Sequence, residues 1–477
     1  MSNLVLGFSE GYHDAAATIL DGNEVLFAAH AERFTRKKND RVIGRDLRDY
    51  VESRYNFYDV AFYEKNYLKR LRHAKAGQWD KVFKKKNLAW GHTHSYLHHL
   101  SHAAAAFQCS PFESATALVA DAVGEMDTMS LWECKYVKGK AKYKKISSLK
   151  YPISLGLFYS AMTDRVGLKP MEEEYIMMGM SAFGTHNKLV YRAMTKILDK
   201  NLHRGAKEFL TKEGGESYVS DMDIAHNAQM LTEKALSQII SKIDGPIVYG
   251  GGVAHNVVAN SNIFDRSHYI FPNPGDAGSS LGAAALVHGQ KINLRHCFTG
   301  YPEGKINDTQ VKEIVDYILK YGIVGICAQR AEFGPRALGN RSLLADPRDP
   351  DIKDKVNVIK KRQKFRPFAP SILSEHANDY FELNKYHDYD YMQYTAEVKS
   401  ESIPSVVHVD GTARVHTVSK RSTGHSPLRR ILEAWYVKTG SSVLLNTSLN
   451  IKGQPMVNTK KHAREFEERY NVKVFTE

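Results

Sequence analysis

Three short apolar runs open the chain: Leu4 to Ser9, Ala15 to Leu20 and Glu24 to Ala29, parted by Gly, Asp and Asn. Each is too short for a helix, so the pattern predicts three sequential strands in a meander or hairpins. A Lys-rich stretch of helical character follows, then a helix over His92 to Gln108 that carries the small-residue turn Ala103 to Ala106. Ala115 to Asp121 reads as a buried strand ending in an acid. Ile247 to Tyr249 is a similar strand that runs straight into Gly250-Gly251-Gly252. Gly300 to Asp308 (GYPEGKIND) is rich in Gly, Pro and charge, as a linker is. It predicts a boundary between a first domain over 1–300 and a second over 310–477. Beyond it, apolar runs predict strands at Ile323 to Ala328, Ser342 to Ala345, Val406 to Val409, Val415 to Val418 and Val443 to Asn446. Strands mixed with helices in both parts make this an α/β protein.

A length of 477 residues suits two or three domains, and 43% hydrophobic with 25% charged residues is ordinary for a globular chain. No apolar run approaches the ~20 residues of a membrane span. The N-terminus lacks the basic start and small-residue cleavage site of a secretory signal, so a cytoplasmic protein with no membrane partner is expected. Cys109, Cys134, Cys297 and Cys327 are too scattered for a disulfide framework or zinc knuckle and read as reduced core thiols.

The net charge of +13 changes the picture, because excess Lys and Arg suits a polyanionic partner. Nine basic residues against two acidic ones fall between Glu64 and Leu88, and two further runs cover Lys138 to Lys145 and Lys420 to Arg430. The clusters at 64–88 and 138–145 point to nucleic acid, DNA in particular. The plainer reading is a solvated face on a protein with many phosphate ligands.

Four constellations suggest chemistry. His94, His98 and His102 are spaced four apart, so on one helix they share a face and can hold a metal. Position 99 is His, not the Glu that a helical zinc protease uses as its base. Imidazole with carboxylate suits Fe(II), Zn(II) or Mn(II). Asp121 closes a strand before the loop Ala122 to Glu125, where a carboxylate commonly meets metal or phosphate. Gly250 to Asn256, together with Asn273 to Gly278 ahead of a small-residue helix, could bring backbone N–H groups to a nucleotide. The fourth set gathers Phe333 to Ser342, the basic run Lys360 to Arg366, Asp410 to Arg414 and Asn446 to Asn450. Its arginine forks and Ser and Asn donors suit triphosphate and carbamoyl oxygens.

These strings resemble the NodU/CmcH O-carbamoyltransferase family in GYHDAAA (11–17), AERFTRKKND (31–40), HHLSHAAAAF (98–107), DAVGE (121–125), GGVAHN (251–256), NPGDAGSSLGAA (273–284), EFGPRALGNRSLLADPRD (332–349), RQKFRPFAPS (362–371), HVDGTARV (408–415) and LLNTSLNIKGQP (444–455). The resemblance implies an N-terminal actin-like (ASKHA, duplicated ribonuclease H-like) domain followed by a YrdC-like α/β domain. It implies an ATP-dependent reaction with carbamoyl phosphate: the second domain makes carbamoyl-adenylate, and the first passes the carbamoyl group to an acceptor hydroxyl. Carried over by position, His98, His102, Asp121 and Asp276 would hold a divalent metal, with Fe2+ favoured over Mg2+, Mn2+ or Zn2+. His94 would then be structural. Gly251, Gly252 and Asn256 would contact the adenylate. Arg336, Arg341, Arg366, Arg414, Asn446 and Ser448 would hold ATP and carbamoyl phosphate. His13 and Asp14 would take the acceptor's proton. The chain departs from the family pattern at Ala122, usually Gly, and at Ile176, usually Lys. It is shorter than usual members and very basic, which favours 5-hydroxymethylcytosine in DNA as acceptor over an antibiotic or glycolipid sugar hydroxyl. A noncatalytic nucleotide- or nucleic-acid-binding protein is the remaining reading.

Overall fold

The computed structural model describes residues 4–83, 87–211 and 219–477. The chain divides into two compact units. The first is Met1–Gly11, Thr18–Glu24 and Tyr55–Asn293; the second is Tyr12–Ala17, Val25–Arg54 and Leu294–Glu477.

The first ten strands are β1 (Leu4–Ser9), β2 (Ala16–Asp21), β3 (Glu24–His30), β4 (Asp59–Phe62), β5 (His94–Ser95), β6 (Ser114–Gly124), β7 (Asp127–Val137), β8 (Lys140–Lys150), β9 (Ile247–Gly250) and β10 (His268–Ile270). They make two five-stranded sheets, in the orders β3-β2-β1-β4-β5 and β10-β9-β6-β7-β8. Counting β6 as the first strand of its own set, both orders read third, second, first, fourth, fifth. In both sets the first strand runs parallel to the fourth and the fourth parallel to the fifth. The same topology therefore occurs twice, as a duplicated ribonuclease H-like, actin-like fold requires. The central strands β1 and β9 are buried along their whole length, which is why they read as unbroken apolar runs and not as alternation.

The remaining strands are β11 (Phe298–Pro302), β12 (Ile323–Cys327), β13 (Arg330–Glu332), β14 (Arg341–Ala345), β15 (Ala369–Leu373), β16 (Phe381–Glu382), β17 (Thr395–Val398), β18 (Thr412–Arg414), β19 (His416–Val418), β20 (Val443–Ser448) and β21 (Val474–Phe475). Six of them form the main sheet, β19-β15-β20-β14-β12-β21. Side chains alternate across it. Val324, Ile326, Leu344 and Leu444 pack with Ile314, Leu432 and Trp435 from the helices Asp308–Tyr321 and Leu428–Thr439. Cys327 and Leu343 pack with Ala463 and Phe466 from the helix Lys460–Tyr470. The second unit is thus a separate α/β fold with helices on both faces of its sheet.

Two expected elements differ. The helix predicted from His92 starts at His98, because His94 and Ser95 extend as β5 and pair with Ala61 and Phe62 of β4. The strand predicted at Val406 to Val409 is absent. Pro404 starts a single 3-10 turn, Pro404–Val406, and the chain then enters a turn whose Gly411 N–H bonds the His408 carbonyl. All four cysteines are buried free thiols. Among the described residues, no helix is long and apolar enough to cross a membrane.

Candidate metal and anion sites

The helix His98–Gln108 has no capping side chain at Leu97. Its first N–H, on His98, instead meets the Glu125 carboxylate at 3.3 Å, while the other Glu125 oxygen accepts the Lys65 N–H at 2.6 Å. Glu125 sits in the turn after β6, so strand and helix are locked together at the point where the metal-binding candidates meet. A negative group at a helix start is also favoured by the helix dipole.

His98 and His102, one turn apart, present their Nε2 atoms to the same point, 3.1 Å from each other. Asp121 Oδ2 lies 3.0 Å from His98 Nε2 and 3.4 Å from His102 Nε2. Asp276 Oδ1 lies 3.3 Å and 3.4 Å from the same two atoms. All four residues are buried, with ligand atoms within 4.8 Å of one another. Donors bound to one ion at about 2.0–2.2 Å necessarily sit about 3–3.6 Å apart, so these four fit a shared divalent cation. Their charges fit as well: two carboxylates and two neutral imidazoles offset a 2+ ion. Burial alone would depress both histidines, yet Asp276 and Asp121 overcome it and raise His98 well above its ordinary range, and they also raise His102. Burial would likewise raise Asp121, but hydrogen bonds from His102 and His98 hold it well below the usual carboxylate range. The cluster therefore keeps its negative charge and retains protons where a metal would sit.

The surroundings are shaped to this purpose. A Cβ on Gly124 would come within 2.4 Å of the His98 ring, so only glycine admits that imidazole. Gly251 has φ +92°, and a Cβ there would lie 2.2 Å from the Ala120 carbonyl. Gly252 comes close to Asp121 Oδ1. The glycine loop thus packs on the strand that supplies the ligand. Asn256, expected to touch a nucleotide, is engaged otherwise: it caps the helix Val257–Ile263 and exchanges paired amide bonds with Gln229 at 2.9 and 3.1 Å. His94 lies outside the cluster, 3.3 Å from Asp59. His99 turns to Ser130 at 2.8 Å.

In the second unit Arg336, Arg362 and Arg366 converge on Arg414. Burial lowers the Arg414 guanidinium well below its ordinary range, and Arg336, Arg362 and Arg366 lower it further. Its buried Nε has no hydrogen-bond partner among the described residues. Lys360 is also lowered, by burial and then by Arg362 and Arg366. It donates to the Asn450 carbonyl at 2.9 Å and to Asn450 Oδ1 at 3.1 Å, and its ammonium also meets Ser448. Asn446 donates to Ser371 Oγ at 2.9 Å and the Ala337 carbonyl at 3.1 Å, which leaves its buried Oδ1 without a partner. Glu332 shapes the loop between, accepting the N–H groups of Leu338, Asn340 and Arg341. Arg341 plays a different part from its expected one. It is fully buried and donates to the carbonyls of Ala328, Asn340, Asn458 and Tyr301 at 2.6 to 3.2 Å. That makes it a pin for the backbone, with no donor left for phosphate. His13 and Asp14 pair at 3.0 Å; burial would raise Asp14, but His13 overrides it and brings it down to about 2.

The basic clusters divide. In the first, Lys69 is buried against Glu64 at 2.9 Å and Arg72 is buried near the Val123 carbonyl, while Arg70, Lys75 and Lys81 are exposed. Lys84 to Lys86 lie outside the described residues. The second lies on β8, an edge strand, where Lys140, Lys142, Lys144 and Lys145 are exposed. In the third, Arg421, Arg429 and Arg430 are neutralised by Asp388, Glu375 and Asp308. Glu125, Lys360 and Arg362 had no assigned role in the sequence. Glu125 stands within DAVGE, four residues after Asp121, and that spacing is the signal that could have drawn attention to it.

Comparison with known proteins agrees with this picture. The chain matches the family description "Carbamoyltransferase N-terminus" over residues 45–285 and "Carbamoyltransferase C-terminus" over 315–476. It is 31% identical to an uncharacterized protein of Synechocystis sp., over 96% of this chain and 93% of that one. It is 30% identical to nodulation protein NolNO of Sinorhizobium fredii, over 76% and 60%. It is 34% identical to nodulation protein U of Rhizobium tropici, over 47% and 42%. Among solved structures, HypF of T. kodakarensis aligns with 60% of this chain and 47% of its own at 12% identity, but the TM-score of 0.32 is too low to imply a shared arrangement. The two family matches, one to each end of the chain, and a relative aligned over nearly its whole length establish that this protein belongs to the carbamoyltransferase family and is a carbamoyl-transferring enzyme.

Proposed function

We propose that residues 310–477, the YrdC-like part, make carbamoyl-adenylate from ATP and carbamoyl phosphate, and that residues 1–300, the actin-like part, transfer the carbamoyl group to a hydroxyl. The observation that carries this is Arg414. It is half-buried, its Nε is buried without a hydrogen-bond partner among the described residues, and Arg336, Arg362 and Arg366 crowd it. Such a group is stable only opposite an anion, and triphosphate with carbamoyl phosphate supplies several. Arg336, Arg366 and Arg414 hold the phosphates, with Lys360 and Arg362 beside them. Asn446 turns its Oδ1 toward the carbamoyl N–H, and Ser448 stays an auxiliary donor. This is the chemistry expected of a YrdC-like domain.

Water first hydrolyses carbamoyl phosphate, so that carbamate forms and inorganic phosphate leaves. A carbamate oxygen then attacks the α-phosphorus of ATP, and pyrophosphate leaves. In the second step the acceptor hydroxyl oxygen bonds to the carbamoyl carbon, the bond to the adenylate oxygen breaks, and AMP departs with the electron pair. His13, held by Asp14, takes the hydroxyl proton; imidazole is suited to this near neutral pH. His98, His102, Asp121 and Asp276 would hold a divalent metal, iron(II) favoured by the mixed imidazole and carboxylate donors, which when bound supplies Lewis acidity toward phosphate and carbonyl oxygens. Gly251 and Gly252 leave the backbone open to the adenylate.

The favoured acceptor is 5-hydroxymethylcytosine in DNA, supported by the exposed lysines of β8 and by Arg70, Lys75 and Lys81. The inward turn of Lys69 and Arg72 subtracts from that charge and favours, as a second reading, a small sugar hydroxyl. The test incubates the protein with ATP, carbamoyl phosphate, Fe2+ and DNA containing 5-hydroxymethylcytosine, followed by nucleoside digestion and mass spectrometry. A nucleoside heavier by one carbamoyl group is expected. AMP and pyrophosphate without a modified nucleoside would leave the adenylate chemistry standing and remove the DNA acceptor.

A further inference from the structure

The helix Asn66–Lys75 is built inside out. Its buried side chains are Lys69 and Arg72, the first paired with Glu64 and the second near the Val123 carbonyl. Two of its large apolar side chains face water, Tyr67 at 60% exposed and Leu71 at 55%, while Leu68 is half-buried. Tyr67, Leu71 and Lys75 follow at four-residue steps, with Arg70 beside them, so they form one outer face. The chain continues with Trp79, 58% exposed, and Phe83, 77% exposed, around the exposed Lys81. Among the described residues, Arg70, Lys75 and Lys81 form no ion pair, and Asp80 is the one exposed acid between Lys65 and Phe83.

A helix that hides its cations and shows its rings gains nothing from folding alone, since burying ionic groups is costly and exposing aromatics forgoes the hydrophobic gain. The arrangement makes sense when the outer face meets a partner with both negative charge and flat apolar surfaces. Single-stranded nucleic acid has both: phosphates at every step and unpaired bases whose faces are open for stacking. A duplex hides those faces within its own stack. We infer that the segment Asn66–Phe83 is a docking surface for single-stranded nucleic acid, with Arg70, Lys75 and Lys81 facing phosphates and Tyr67, Trp79 and Phe83 stacking on bases. This surface deepens the nucleic-acid acceptor reading and rests on it for its purpose. It would present a strand whose target base is already free of a duplex.

The test measures fluorescence anisotropy of a labelled twenty-residue oligothymidylate with the full-length protein across a salt series. Replacing Tyr67, Trp79 and Phe83 together with Ala should weaken binding by at least tenfold at constant salt slope, because stacking is lost and charge is kept. Replacing Arg70, Lys75 and Lys81 with Gln should reduce the slope of log K against log salt by about 2, roughly 0.7 for each lost phosphate contact. Unchanged affinity in the aromatic variant overturns the proposal, as does no binding by the wild type. Anionic phosphatidylglycerol vesicles that bind the wild type and displace the oligonucleotide also overturn it, in favour of a membrane surface. Both variants should still carbamoylate free 5-hydroxymethyl-2′-deoxycytidine, so a loss confined to polymer supports the surface. A wild type that binds the oligonucleotide through these residues but modifies no nucleoside keeps the surface and sinks the acceptor.

Discussion

Two imidazoles and two carboxylates share one buried point in the first unit, each imidazole Nε2 lying 3.0 to 3.4 Å from the carboxylate oxygens. Removing one ligand leaves three donors for the ion, so His102→Ala should abolish tight metal binding, measured by metal content after gel filtration. Carbamoyl transfer should be lost with it, while ATP–pyrophosphate exchange continues; loss of both activities together would contradict a two-site division of labour. Arg414→Ala should keep the metal but cut exchange by about 100-fold or more, and overall transfer with it, consistent with a charged contact of ~3 kcal/mol. Exchange at the wild-type rate would clear Arg414 of any phosphate role. Asp276 came only from the family resemblance, and β6 runs past Asp121 to Gly124, while His98, His102 and Asp121 could be picked out in the residues from helical spacing and an acid on an apolar strand. Arg341 could not: nothing in its sequence context tells whether a guanidinium faces a ligand or, as here, backbone carbonyls. Lys69 and Arg72 are the same lesson in a charged run, which looks solvated until the fold turns two of its members inward.

Elements that begin without a cap of their own borrow one. Glu125 serves the His98 helix from the turn after β6, and it also takes the Lys65 N–H. Glu125→Ala should lower stability by about 1–2 kcal/mol, the usual value of a lost cap, and weaken metal binding, since the same contact sets the position of His98. A denaturant titration with and without metal reads both; an unshifted midpoint would show that the cap carries no weight. The strands β1, β6, β9 and β20 were legible because burial on both faces leaves unbroken apolar runs. The start of the His98 helix was not, since histidine spacing says nothing about whether residues 94 and 95 extend to pair with β4. Val406 to Val409 failed for a related reason: β-branched residues favour strands, but Pro404 initiates a turn there.

Acid should unfold the second unit in a defined window. Burial, first of all, lowers His30, His296 and His462 to about 4 and His416 to about 3, with nearby cations adding to it: Arg33 for His30, Arg330 for His296, Arg36 for His462, Arg414 for His416. An unfolded histidine titrates near 6.5. Below that pH the unfolded chain takes up protons that the folded unit refuses, so stability is full above 6.5 and falls as pH drops toward 4. His98 and His102 shift the opposite way, so the measurement belongs on metal-loaded protein. Melting temperature should fall steadily from pH 6.5 to 4.5, and His296→Gln with His462→Gln should flatten that fall. A flat profile in the wild type would show that these histidines do not control acid stability.

The repeated strand order has a consequence for where the metal ligands come from. His98 and His102 lie on the helix after the fifth strand of the first set, and Asp276 lies just ahead of the helix after the fifth strand of the second, with Asp121 on that set's opening strand. Neither copy of the topology holds a complete ligand set. A single ancestral copy could have assembled such a centre only by pairing with its twin, and fusion of two copies would then have freed each to keep different ligands. Today's enzyme is, in that sense, a dimer written as one chain, and either half expressed without the other should be blind to the metal.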